Sequence, residues 1–271
     1  MQSQILSDGS PVLACPHLAG DAPDRESRVA EDFRAFIRAP AFPCVGAKSA
    51  LSRDKMRIIV ARDIASAWND LPVLAELHDL AASYRADPVL FQSLAVLFPD
   101  SEPTDEPTFE ALLWERIQSL SDKDSWLGQR ADPRVSDDPD NPHFSLSFGG
   151  EAFFCVGLHP GASRPARRYK HPVLVFNLHD QFEQLRAQGR YEKLRESILT
   201  RDEALAGSIN PMLARHGTIS EARQYSGRAV NEGWNAPFDR DGDVDPDVAK
   251  FQAQLASYDA AQDDEAEGHP S

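Results

Sequence analysis

The spacing of hydrophobic and polar residues changes several times along this chain, and each change marks an element. Val29, Phe33, Phe36 and Ile37 recur at helical spacing between Asp24 and Arg38, which predicts an amphipathic helix. The run Ala39-Pro40-Ala41-Phe42-Pro43 ends it, because Pro43 drives Phe42 towards extended backbone. A turn at Cys44 then leads into a short helix reaching Leu51, and the β-branched run from Met56 to Ala61 predicts a strand. Helical period returns from Ile64 to Arg85, with Pro72 opening a second helix. A further helix is expected from Asp87, with Leu90, Phe91, Leu94, Leu97 and Phe98 as its apolar face. The acidic, proline-rich stretch 99–107 reads as loop, Thr108 to Leu120 as a helix with Trp114 on its apolar side, and 132–142 as a turn-rich connector.

The pattern is sharpest between Phe144 and His179. Phe144, Leu146 and Phe148 alternate, Gly149-Gly150 follows, and the chain returns through Ala152 to Leu158. Two apolar runs joined by Gly-Gly predict a β-hairpin, since the tightest turns need positive φ at both central residues. A third strand is expected over Val173–Leu178. Beyond it, 180–189 and 190–206 read as two helices parted at Gly189, Asn210-Pro211 as a turn, and 220–230 as a short helix carrying Glu221, Arg223, Tyr225 and Arg228. Val248, Phe251, Leu255 and Tyr258 predict a last helix. With no internal repeat, the expectation is an α+β fold. A single domain over 24–240 would hold a small, mainly antiparallel sheet covered by helices. Residues 1–23 and the acidic end of 241–271 are expected to be disordered.

Charge and composition narrow the function. The chain has 271 residues and a net charge of −15, which argues against a nucleic-acid partner, because phosphate backbones need clustered Lys and Arg. No run approaches the roughly 18 apolar residues of a membrane span, and MQSQILSDGSPVLAC lacks the basic start and apolar core of a secretory signal. Three cysteines, Cys15, Cys44 and Cys155, make no disulfide framework. A reducing, cytoplasmic protein is expected.

The connector before the third strand gathers His159, Arg164, Arg167 and Arg168, an unusual concentration of cationic donors in an acidic chain. Guanidinium groups this close repel unless an anion or carboxylates pair them, so the loop is a candidate site for haem propionates, phosphate or a substrate carboxylate; surface ion pairs are the plain alternative. Cys44 lies between Pro43 and a helix start, where free backbone N–H groups stabilise a thiolate, and Gly46 leaves room for a flat group beside the sulfur. The spacing Cys-x-Gly-x-x-x-Ala also ends the cysteine signature of thiolate-ligated haem monooxygenases, without its preceding Phe-Gly-x-Gly-x-Arg; a buried structural cysteine is the alternative. Glu151 beside the Gly-Gly turn, Glu221 and His179 are further candidates. Neither a zinc pattern nor a phosphate-binding glycine loop is present. The segment 239–245 resembles part of a calcium loop but has Lys250 where the twelfth-position Glu belongs.

Taken together, PAFPCVGAKSAL (40–51), HFSLSFGGEAFFCVGLHPGASRPARRY (143–169), VLVFNLHDQFEQLR (173–186), RDEALAGSINPML (201–213) and SEARQYSGR (220–228) resemble the YqcI/YcgG family. Within it, the chain is similar to the branch with the haem-dependent guanidine N-hydroxylase of guanitoxin biosynthesis. The resemblance implies a haem b enzyme that uses O2 and external electrons to hydroxylate a guanidine nitrogen of L-arginine or a related compound. It implies Cys44 as axial iron ligand with His159 as the alternative. Gly46, His159, Arg164, Arg167 and Arg168 would lie around the haem, and Glu151 or Glu221 would hold the guanidinium. No flavin or nicotinamide motif is visible, so a separate reductase or ferredoxin is implied as donor. A non-catalytic haem sensor or carrier and a non-haem anion-binding module are the competing classes, and the oligomeric state is left open, a homodimer included.

Overall fold

A computed structural model describes residues 22–208 and 219–240. The readings made above for 1–21, for Asn210-Pro211, for the calcium-like loop beyond Arg240, for the helix near 248–258 and for the acidic end lie outside the described residues. Within them, one five-stranded sheet carries the fold. Its strands are β1 (Met56–Val60), β2 (Ser93–Leu97), β3 (Leu146–Phe148), β4 (Glu151–Leu158) and β5 (Val173–Leu178), in the spatial order β1-β2-β5-β4-β3. β1 and β2 run parallel and every other pair is antiparallel. The class is α+β, in a single domain with a mainly antiparallel sheet.

The hairpin forms as its glycines dictate. Gly149 and Gly150 both have positive φ, 56° and 79°, and the strands on either side pair in register through Phe148 and Glu151. The expected helix after Asp87 is corrected: Ser93–Leu97 is the strand β2, and all five of its residues are buried. A strand covered on both faces loses the alternation that marks a half-exposed one, so its apolar run is indistinguishable from a helix by period. The expected helix 220–230 shrinks to a 3-10 turn over Glu221–Gln224.

Six helices cover the sheet: α1 (Ala22–Arg38), α2 (Val45–Ser52), α3 (Asp70–Ala86), α4 (Glu106–Trp126), α5 (Asp180–Ala187) and α6 (Tyr191–Ala206). On one face, Leu94, Val96, Phe153, Cys155, Leu174 and Phe176 pack against Leu77 and Leu80 of α3 and Phe109, Leu113 and Trp114 of α4. On the other, Met56, Ala95, Leu97, Leu158, Val173 and Val175 meet Val29, Phe33 and Ile37 of α1 and Ala50 of α2. α6 crosses the edge of this second layer, packing on α2, on α5 and on the Pro165–Arg167 turn.

Candidate functional site

Cys44 caps α2. Its backbone is extended (φ −74°, ψ 100°), and its Sγ accepts a hydrogen bond from the Ala47 N–H at 3.4 Å. The sulfur thus faces the positive end of the helix, as the local sequence predicts. Burial nevertheless pushes the thiol pKa up, against the Ala47 and Gly46 amides and the charge of Arg167, which lower it. At neutral pH the group is a thiol that a metal ion would deprotonate on binding.

Gly46 leaves space beside that sulfur. A Cβ built there would come no closer than 3.8 Å to Cys44 Sγ and to the Phe91 ring, so no packing contact demands a glycine. Phe91 stands against the same spot with φ 68°, a left-handed backbone that bulky residues rarely adopt. On the α2 side of the sheet, strand alternation puts Phe154 and Val156 of β4 on the same face as their partners Asn177 and Val175 of β5. Phe154, Val156, Asn177, Cys44, Ala47 and Phe91 are all only half-buried.

The helix above them is open in the same way. Tyr191, Leu194, Ile198 and Leu205 form one stripe of α6 at helical spacing, yet none is fully covered, and Asp202 is the helix's one buried residue. Asp202 pairs with Arg164. Arg201, beside it, donates from Nη2 to the Pro40 carbonyl at 2.9 Å, and Lys48 donates to the Ala39 carbonyl at 2.7 Å, so both cations staple the loop leading into Cys44. The Nε–H groups of Arg164 and Arg201 are buried without a hydrogen-bond partner. Buried donors of this kind are normally satisfied, so two of them on cations beside the seam between α6 and the loop entering α2 mark a place suited to an anion.

His159 is elsewhere. Its ring stacks on Phe109 of α4 at 4.2 Å with planes 16° apart, on the α4 side of the sheet, whereas Cys44 packs with the α1 and α2 layer. Burial pushes its pKa down, opposed by Glu106 and the Thr104 carbonyl, and its Nδ1 is buried without a partner. The two alternative iron ligands therefore do not share a site.

The three loop arginines also disperse. Arg164 takes Asp202 and the Ser208 carbonyl, and Arg168 donates to the carbonyls of Ala162 and Ser163. Arg167 donates to the carbonyls of Gly157, Tyr225 and Gln224, at 2.9, 3.1 and 2.9 Å. Desolvation brings its pKa down to about 10, a measure of how deep the guanidinium sits, and its charge acts on both Cys155 and Cys44. Cys155 itself, fully buried, has its thiol pushed up to about 12 and is chemically quiet.

The two nominated carboxylates border a second feature, a polar cleft of about 290 Å³ lined by residues that include Asp132, Arg134, His143 and His179. Glu151 bonds Arg134 at 2.6 Å, and Glu221 lies 3.9 Å from Nδ1 of His179. Among the described residues, no group of three or more His, Cys, Asp or Glu could hold a metal ion.

The sequence model of the YqcI/YcgG family matches residues 33–239. The chain belongs to the YqcI/YcgG family. Two relatives from Bacillus subtilis (strain 168) bear the family's names, and both are described as uncharacterized. YqcI is 27% identical over 200 residues, covering 68% of this chain and 74% of its own length. YcgG is 26% identical over 189 residues, covering 66% and 72%. No solved structure matches. In this member of the YqcI/YcgG family, the matched span holds Cys44, the arginine loop and α6 alike. Among the described residues no helix is long and apolar enough to cross a membrane.

Sequence reasoning missed Lys48, Phe91 and Arg201. Phe91 was assigned to a helix that does not form, and Lys48 and Arg201 carry no motif. Only the pairing of α6 with the loop before Cys44 brings Lys48 and Arg201 together, and the stretch before β2 brings Phe91 beside Gly46.

Proposed function

We propose that this YqcI/YcgG protein is a haem-dependent monooxygenase that N-hydroxylates the guanidine group of L-arginine or a related guanidino compound. Dioxygen is the co-substrate, and electrons come from a separate reductase or ferredoxin. The observation that carries the reading is a helix-capping thiol flanked by a glycine, with two buried, unpartnered arginine Nε–H groups on the 164–168 loop and on α6, a helix whose apolar stripe is half-covered. A porphyrin supplies its own four nitrogen ligands, so a single protein thiolate suffices to hold its iron.

Bound haem would supply dioxygen activation, which thiolate ligation favours. Cys44 would hold the iron, its thiol proton leaving to solvent. Gly46 and Phe91 would flank the porphyrin face, and the unpartnered Nε–H groups of Arg164 and Arg201 would bind propionates. Arg167, although committed to carbonyls, adds positive charge that stabilises the Cys44 thiolate. His159 has no part in this site. Glu221, on the turn that Arg167 ties to β4, or Glu151 would clamp the substrate guanidinium. The reading places the protein in the reducing cytoplasm, where Cys44 and Cys155 stay as thiols.

The test is an absorption spectrum of the full chain expressed with haem precursor, then reduced under carbon monoxide. A strongly red-shifted Soret band, lost in Cys44→Ser, is expected. A globin-like band would transfer the ligand to a histidine, and no band would end the haem reading. A shifted band with no hydroxylated product from arginine or other guanidines, given reductase and O2, would leave a haem carrier instead.

A further inference from the structure

Outside the seam, the molecule carries a line of oxidisable rings. The Tyr225 ring stacks on Trp114 at 5.6 Å, and Trp114 lies 6.2 Å from Trp234, which is half-buried at the surface. At the inner end, Tyr225 meets the half-buried Phe154 of β4 edge to face at 5.2 Å, and the Tyr225 carbonyl accepts from both the Gly157 N–H and Arg167. Tyr225 thus sits at the edge of the strand that presents Phe154 and Val156 to the seam.

The polar atoms of these rings are distributed unevenly. The Trp114 indole N–H is buried without an acceptor, and the buried Tyr225 hydroxyl, whose oxygen faces Ser145 and the Leu146 N–H, has no acceptor for its own proton. Two such orphans side by side are costly for stability, and they belong to two residues whose rings give up electrons readily. Trp234 differs: its Nε1–H donates to Glu110 Oε1 at 3.0 Å. Glu110 is buried and also holds Arg228 at 2.5 Å. Only the outermost ring of the line therefore has an acceptor ready for its proton.

We propose that Tyr225, Trp114 and Trp234 form a relay that carries single electrons from the protein surface to an oxidised cofactor at the seam. The proposal rests on the haem reading above. In each event Trp234 loses one electron, which passes through Trp114 and Tyr225 and reduces the cofactor by one equivalent. The Trp234 indole proton moves from Nε1 to Glu110 Oε1, leaving a neutral indolyl radical. Neither Trp114 nor Tyr225 has an acceptor, so each keeps its proton throughout and the oxidising equivalent settles on neither. An external one-electron reductant such as ascorbate then restores Trp234, and the proton returns from Glu110. The relay's function is protective: an oxidant formed without substrate is discharged at the surface rather than on the porphyrin or on Cys44.

The experiment mixes the haem-loaded full chain with hydrogen peroxide, freeze-quenches it and records electron paramagnetic resonance, with indole-deuterated tryptophan to assign the signal. Wild type, Trp234→Phe and Trp114→Phe are compared after the Soret band of each has been recorded. The expected wild-type signal is a neutral tryptophan radical. It should vanish in both variants, and both should bleach their haem faster. A full Soret band with a radical unaffected by Trp234→Phe, or with none in wild type, overturns the relay and leaves the haem reading standing. No Soret band in wild type overturns both. If Trp114→Phe fails to fold, Trp234→Phe decides alone, since that ring is half-buried.

Discussion

Gln181, in the first turn of α5, holds the main chain of Gln92 from both sides. The Gln92 N–H donates to Oε1 at 3.0 Å, and Nε2 donates back to the Gln92 carbonyl at 3.1 Å, both within the protein interior. A side-chain amide here imitates a neighbouring strand and fixes the backbone just after Phe91, whose φ of 68° would otherwise relax. Gln181→Leu should lower stability by about 1–3 kcal/mol, the cost of leaving two buried backbone groups unpaired. Urea unfolding measures it. An unchanged midpoint would show that β2 alone holds Phe91 in place.

Two glycines separate packing from function. A Cβ on Gly157 would sit 2.7 Å from both Leu113 Cδ1 and Phe109 Cε1, so Gly157→Ala should cost about 1–3 kcal/mol through overpacking. Gly46 lies within α2, and a Cβ there would meet Cys44 Sγ and the Phe91 ring only at ordinary contact distance, so Gly46→Ala should be neutral or stabilising by up to about 1 kcal/mol. The same methyl should weaken haem uptake, read as the Soret-to-protein absorbance ratio. Full haem loading in Gly46→Ala would remove the space beside Cys44 from the proposal.

Acid sensitivity should centre on Asp132. Burial opposes its charge, but the hydrogen bonds and charge of Arg134 and the Ala152 N–H prevail and hold the carboxyl below its ordinary range. A depressed folded pKa means the unfolded chain binds more protons at acid pH. The stabilisation is therefore complete above the unfolded value of about 4 and is lost as pH falls below it. Asp132→Asn should destabilise by about 2–3 kcal/mol at pH 7 and flatten the stability profile below pH 4. Equal slopes for wild type and variant would place the acid response elsewhere.

Arg167 should act as a clamp. Its three carbonyl bonds tie the 220–228 segment to β4, where the Gly157 N–H donates to the Tyr225 carbonyl at 2.7 Å. Arg167→Met should cost about 2–3 kcal/mol and speed hydrogen exchange at Gly157 more than at β1. Lysine cannot reproduce the planar fork and should restore little. Uniform loss of protection across the sheet would argue against a local clamp.

His159 should contribute a pH dependence of its own. Its folded pKa is depressed by burial, so stability from this site is full above the unfolded value of about 6.5 and declines as pH falls through it. His171 shifts the same way and sets the background. His159→Gln should leave a shallower decline between about pH 7 and 5, followed by thermal unfolding.

The features legible in the chain itself are those with local causes. Gly149-Gly150 can only make a tight turn, so the hairpin and its register follow from adjacent residues. Pro43-Cys44 before an apolar helical run makes Cys44 a cap, because the exit from proline and the free N–H groups of the next turn are both matters of neighbouring backbone. The blocks that resemble the YqcI/YcgG family fall in this category, and the family match over 33–239 agrees with them.

What the tertiary structure decided are the features with distant causes. β2 is a strand because β1 and β5 pair with it from 37 and 76 or more residues away, as in Met56 with Ser93 and Val173 with Leu97; its own residues, apolar on both faces, carry no preference of period. The loop arginines were expected to converge on one anion, but a cation's partner is whichever acceptor the fold brings near. Asp202 and the carbonyls of Gly157, Tyr225 and Gln224 reach Arg164 and Arg167, while Arg201 arrives from another helix. Likewise, the separation of Cys44 from His159 depends on which layer each side chain joins, one with α1 and α2 and the other against Phe109 of α4. Sequence specifies an element where its free energy is local; which groups meet is settled only when the layers pack.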